Sequence, residues 1–256
     1  AAVAGRGNAL AIAGATARLE DKDERVRRAS VDLLCSIVEA GDEEAIASIA
    51  ARLGHRERGA RLTAAAALAA VAGTGSEEAT AAVTAWLTHK SADVRLTAVE
   101  ALSMVARKGD QQAITQVVAH LLHQDTSIRL TAVEALRVIA GRGNEQALAA
   151  ITPHLKHRNS GVRLVALMAL GAVSAVGDGR AMAAAAAGVK DRDERIRAAA
   201  LGVLGEVARN DDQRALDMAI VCLEDSDAEV RLATVRFLRR LELKGCERAI
   251  RAVAAR

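Results

Sequence analysis

Four histidines, His55, His89, His123 and His157, stand at intervals of 34 residues, and His120 and His154 precede two of them by three positions. In the stretches "HLLH" and "HLKH" this spacing puts two imidazoles on one helical face, a geometry suited to a zinc or nickel ligand pair. Two carboxylates, Glu100 and Glu134, share the same interval, and a pair of acids so placed could divide general acid and base roles. Arginines recur with it too, at Arg27, Arg61, Arg95, Arg129, Arg163, Arg197 and Arg231, and a row of guanidinium groups could track phosphates.

Each chemistry meets a physical objection. Histidines one repeat apart on stacked helices lie roughly 9–10 Å from one another, several times a metal–nitrogen bond. No cysteine or carboxylate stands at a spacing that completes a tetrahedral set, so no metal and no cofactor is expected. An imidazole at a helix C-terminus is favoured by the dipole without any ligand. The glutamates fit an exposed helix face. The arginines fall in the first turn of a helix, where the dipole opposes a cation, so something close by must compensate; Asp21, Asp23, Asp191, Asp193, Asp225 and Asp227 stand near enough. No glycine-rich phosphate loop follows a strand, and no serine or cysteine has an identifiable histidine partner. Catalytic residues are therefore not expected.

The elements follow from the same interval. The stretches "SADVRLTAVEALSMVARKGD" and "DTSIRLTAVEALRVIAGRGN" begin 34 residues apart, at Ser91 and Asp125. The residue before each arginine is apolar at all seven sites: Val26, Ala60, Val94, Ile128, Val162, Ile196 and Val230. Eight residues beyond each of these anchors stands a leucine, from Leu34 to Leu238. Val94, Ala98, Val99, Leu102, Val105 and Ala106 form one helical arc, an amphipathic helix. Asp23, Glu57, Ser91, Asp125, Asn159, Asp193 and Asp227 stand at its start, six of them good N-caps. Gly41, Gly75, Gly109, Gly143, Gly177 and Gly245 are expected to end it in left-handed caps. The residue after each, such as Asp42 or Ser76, opens a second, shorter helix.

Each unit is thus a helix hairpin whose apolar stripe is buried only by its neighbours, the logic of a solenoid. The spacing predicts an all-α, single α-solenoid over residues 1–256, with repeats 8–41, 42–75, 76–109, 110–143, 144–177, 178–211 and 212–245, then a half repeat at 246–256. Residues 1–7 read as the tail of a preceding helix. Leu10, Ile12, Ile250 and Val253 would leave apolar ends, which suggests end-to-end stacking or membership of a longer array. Residues 178–190, "DGRAMAAAAAGVK", are expected to be the weakest seam.

The stretch "AITPHLKHRNSGVRLVALMALGAV", Ala150 to Val173, resembles the HEAT family, with proline in the first helix, a polar turn, Val-Arg and an Ala/Leu-rich second helix. The short unit is most similar to the HEAT-like repeats of phycobilisome lyases, and proline departs from that pattern by occurring once. The large aromatics and interhelix proline of tetratricopeptide repeats are missing, as is the Thr-Pro-Leu-His of ankyrin repeats. The resemblance implies a right-handed superhelix, an arginine–acid ladder between neighbouring turns, and a scaffold for a protein or peptide partner. It also implies an alternative, a lyase-like enzyme or a holder of a chromophore or substrate.

Composition narrows the partners. The net charge is only +3 and the chain holds one tryptophan, one phenylalanine and no tyrosine. Base-stacking on a basic face therefore lacks its residues, and nucleic acid is not expected. No apolar run reaches the length of a membrane span. Cys35, Cys222 and Cys246 are odd in number and widely spaced, which fits a reducing intracellular compartment. On the second helix of each hairpin, positions two, six, nine, ten and thirteen beyond the anchor should face outward, along the concave side of the stack. Leu62, Leu96, Leu130 and Leu164 occupy the first of these rows; Glu100, Glu134 and Arg236 the second. With Arg239 and Arg240 they outline an apolar strip of graded charge, suited to a helical or extended peptide.

Overall fold

The computed structural model describes residues 7–39, 41–209 and 212–242. Fourteen α-helices and no strand occur among these residues. First helices of the hairpins are α1 (Ala9–Arg18), α3 (Glu43–Ala50), α5 (Glu77–Thr84), α7 (Gln111–Ala119), α9 (Glu145–Ile151), α11 (Gly179–Gly188) and α13 (Gln213–Val221). Second helices are α2 (Glu24–Ile37), α4 (Arg58–Ala72), α6 (Ala92–Val105), α8 (Thr126–Ile139), α10 (Ser160–Val173), α12 (Glu194–Val207) and α14 (Ala228–Glu242). Most first helices tighten into a 3₁₀ turn before the hairpin bends, such as Ala85–Thr88 after α5.

Short polar side chains start these helices by satisfying amides that have no partner inside the first turn. Asp42, Ser76, Asp110, Asn144, Asp178 and Asp212 each accept a hydrogen bond from an amide of the first turn, as expected. Asp23, Asp125, Asn159 and Asp193 do the same for second helices, whereas Glu57 and Ser91 make no side-chain cap bond. The glycines differ from expectation. Second helices end four residues before them at Ile37, Val105, Ile139 and Val173, and three before at Ala72. Positive φ at Gly75, Gly109, Gly143 and Gly177 instead aims each amide at the second helix of the following hairpin. Those amides donate to the carbonyls of Val105, Ile139, Val173 and Val207 at 2.6–2.7 Å. The left-handed residue therefore joins repeats as well as turning the chain.

The chain divides into two compact units, residues 1–140 and residues 141–256. In both, the leucine eight beyond the anchor is the centre of the core: Leu34, Leu68, Leu102 and Leu136 in the first, Leu170, Leu204 and Leu238 in the second, all fully buried. Anchors are buried also, except Val26, which lies exposed with Leu33 beside α1. Ile12, expected on an open end, is buried in α1, while Leu10 is exposed; Ile250 and Val253 lie outside the described residues. Near α11, Gly188 is buried against Ala200 and Leu167, where a Cβ would fall within 2.9–3.0 Å of both side chains. The glycine expected only to weaken that helix is what lets it approach α10 and α12. No helix among the described residues is long and apolar enough to cross a membrane.

Candidate functional site

The turn between the two helices of a hairpin is built by the repeated arginine. Nη1 of Arg61 donates to the carbonyls of His55 and Arg56 at 2.9 Å. Arg27, Arg95, Arg129, Arg163, Arg197 and Arg231 make the same pair of bonds to the carbonyls six and five residues earlier. These carbonyls are the compensation that a cation in a first turn requires. Arg61, Arg95 and Arg129 are buried and Arg27, Arg163 and Arg197 half-buried, so only Arg231 of the row is exposed.

Nη2 of Arg129 donates to Thr126 of its own helix, whereas in five of the turns the guanidinium also reaches toward the following hairpin, with chemistry that differs between the units. In the first, Nε of Arg27, Arg61 and Arg95 donates to the hydroxyls of Thr63, Thr97 and Thr131 at 3.0–3.3 Å. In the second, Arg163 and Arg197 form two-bond ion pairs with Asp191 and Asp225 at 2.8–3.0 Å. Those guanidinium groups hold the carboxyls of Asp191 and Asp225 below the usual carboxylate range. The acid ladder implied by the resemblance is thus present at these two turns, and threonine takes the place of the acid at Arg27, Arg61 and Arg95.

The recurrent histidines belong to the turns rather than to a metal. Nδ1 of His55, His89, His123 and His157 accepts the amide of Glu57, Ser91, Asp125 and Asn159, respectively, at 3.0–3.1 Å. Asp21, Asp191 and Asp225 stand at the same register and accept the corresponding amide through Oδ1. An imidazole here is an acceptor in the role of a turn aspartate, which engages the nitrogen a metal would need. Among the described residues no group of three histidines, cysteines or acids is placed to hold a metal ion. Burial, and then the neighbouring His123 or His157, pushes His120 and His154 below the ordinary histidine value.

On the second-helix face of the first unit, Leu96 is 55% exposed and Leu130 is 40% exposed, while Leu62 is half-buried. Ser103 and Met104 on α6, and Arg107 just beyond its end, are outward, as the wheel predicts. Glu100 and Glu134 do not form the carboxylate pair that their spacing allowed. Arg58 of α4 holds Glu100 of α6 at 2.7 Å, and Arg137 lies 3.6 Å from Glu134 on α8. In the second unit Leu164 is half-buried, and Gly171 and Ala172, expected to face outward, are buried. Gly171 brings α10 so close to α12 that a Cβ would meet Val203 at 2.8 Å. Farther along, Arg236, Arg239 and Arg240 are exposed on α14. Arg236 and Arg240 border a 420 Å³ groove floored by Leu201, Gly202 and Gly205 of α12.

The HEAT-repeat family matches residues 12–103 and 56–137. Residues 12–137 are HEAT repeats. The structure is similar to a chain of the Kap95p–RanGDP complex, with a TM-score of 0.54 at 14% identity, over 90% of this chain and 32% of that one. An engineered protein matches with a TM-score of 0.43 at 16% identity, over 91% and 97%. Human deoxyhypusine hydroxylase matches at 0.40 and 19%, over 90% and 84%. No curated protein matches the sequence. The narrower likeness to phycobilisome lyase repeats rests on the sequence pattern alone.

Two features of the hairpins escaped the sequence reading. Thr63, Thr97 and Thr131 recur at the repeat interval in plain view, yet nothing local marks them as arginine acceptors in another hairpin. Each also donates to the carbonyl four residues back, which fixes its hydroxyl beneath the guanidinium. The other is a cavity of about 340 Å³ in the second unit, beside Lys156 and α11.

Proposed function

We propose that this protein is a non-enzymatic scaffold that binds a protein or peptide partner through its second-helix face. The exposure of Leu96 and Leu130 on consecutive helices α6 and α8 carries the reading. Two large apolar side chains left side by side in water stand to gain from being covered by an apolar partner face. Arg58, Glu100 and Glu134 surround them with charge that orients a partner without closing the strip. On the second unit, Leu164 and the exposed Arg236, Arg239 and Arg240 extend the proposed surface toward an acidic segment. Arg236 and Arg240 bordering a groove with small-residue walls support that choice. One continuous solenoid over residues 1–256 is part of the same proposal.

The test is the double variant Leu96→Asp/Leu130→Asp, compared with the unaltered chain in affinity capture and mass spectrometry. Both variants should keep the same helicity, because exposed substitutions usually shift stability by no more than about 0.5 kcal/mol. The double variant should lose the captured partner, since a carboxylate buried against an apolar face costs several kcal/mol. Undiminished capture by a folded double variant would exclude this face as the binding surface.

A further inference from the structure

We propose that the second unit holds a binding site for a small anion with a flat apolar body, such as an aromatic carboxylate. The site is the 340 Å³ cavity between hairpins, lined by Leu155 and Lys156 of the 3₁₀ turn Thr152–Lys156, by Leu167 and Leu170 of α10, and by Ala184 of α11. Its volume lies within the roughly 300–1,000 Å³ range of small-molecule sites.

The repeat register explains why the space exists. Positions 86, 120, 154 and 188 are equivalent, and they carry Trp86, His120, His154 and Gly188. In the first unit the ring of Trp86 reaches back onto the preceding hairpin. There it lies so close to Gly54 that a Cβ on that glycine would meet ring carbons at 2.6–2.8 Å. Position 54 is the register equivalent of Lys156. The second unit therefore has glycine where the first has an indole, and lysine where the first has the glycine beneath that indole. Removing the ring opens the space, and Leu155, Leu167, Leu170 and Ala184 give it apolar walls. Gly188 cannot refill it, because its own Cβ direction is blocked by Ala200 and Leu167.

Charge at the rim selects the sign of the ligand. Arg163 is engaged by Asp191, and Arg180 is paired with Glu145. Lys156 is exposed and has no ion-pair partner among the described residues. An ammonium next to an apolar hollow fits a ligand whose ring enters and whose carboxylate stays at the mouth, where a charge-assisted hydrogen bond forms.

The probe is indole-3-propionate, with neutral indole as its uncharged counterpart, titrated into the full chain and followed by ligand-observed NMR and calorimetry. Saturable binding of indole-3-propionate, tighter than that of indole, is expected. Ala184→Leu fills the cavity and should weaken both ligands at least tenfold while circular dichroism stays unchanged. Lys156→Met, at an exposed position, should weaken indole-3-propionate about tenfold and leave indole unaffected, the loss of one charged contact. If Ala184→Leu does not fold, the Lys156→Met comparison decides alone. No binding at millimolar probe, equal affinity of both ligands for Lys156→Met and the unaltered chain, or unchanged affinity in a folded Ala184→Leu variant overturns the assignment.

Discussion

Buried arginine sets the stability of individual turns. Arg61 is 4% exposed, and its guanidinium donates to two backbone carbonyls and the Thr97 hydroxyl. Arg61→Met keeps the aliphatic stem but leaves those acceptors without a donor in a dry turn. A loss of about 3 kcal/mol is expected, since each buried polar group left unsatisfied costs about 1–3 kcal/mol. Thr97→Val removes one acceptor of Arg61 and a second bond to the Asp93 carbonyl, which keeps its helical partner, and should cost about 1 kcal/mol; urea unfolding of both variants checks the ranking. A reversed order would mean the threonine, not the arginine, organises the turn. Histidine adds a pH dependence. His120 and His154 titrate below 6.5 in the fold, so over that range the unfolded chain binds more protons than the folded one. Their contribution is present above pH 6.5 and is lost as pH falls through the folded values. Melting temperature should drop as pH falls below the ordinary histidine value, and His120→Gln/His154→Gln should flatten that slope.

At the scale of the element, α11 is the departure from the pattern. Ala185 stands at the register of Ile49, Val83, Val117 and Ile151, each fully buried. Truncation of a branched side chain to alanine forfeits roughly 0.8 kcal/mol of burial for each missing methylene. The close contact of Gly188 with Ala200 restores packing on one side of the helix, while the cavity leaves the other side thin. Hydrogen exchange should therefore find amides of α11 less protected than those of α9, and equal protection would show that the close contact compensates in full. The binding faces are also a property of single helices. If α14 contributes to partner capture, Arg236→Glu/Arg239→Glu/Arg240→Glu should weaken binding more at low salt than at high. Exposed charges are screened beyond roughly 10 Å at 0.1 M ionic strength.

For the whole molecule, stability in a repeat protein is approximately a sum of hairpin terms and nearest-neighbour interfaces. Such a chain need not unfold all at once. Trp86, the single tryptophan, lies in the first unit, and α11 lies in the second. Tryptophan fluorescence should then report a higher urea midpoint than far-ultraviolet circular dichroism, which sees helices of both units. Coincident transitions would mean that the two units melt together despite the alanine-rich hairpin.

The 34-residue interval by itself determined the helices, their N-caps, the fully buried leucine at each centre and most of the outward positions. It could do so because helix periodicity and capping depend on residues a few positions apart, and seven copies average out local exceptions. Tertiary structure alone decided which groups the arginines meet. The acceptor lies 36 residues ahead as threonine in one unit, where histidine stands 28 ahead, and 28 ahead as aspartate in the other, where alanine stands 36 ahead. It also turned the glycines from helix stops into links, paired Glu100 with Arg58, and buried Gly171 and Ala172 on α10. At Gly171 the missing side chain is what lets Val203 of the adjacent hairpin pack so closely. The cavity beside Lys156 follows the same rule: glycine at position 188 appears in the chain as a missing side chain, but only packing shows that the space stays open.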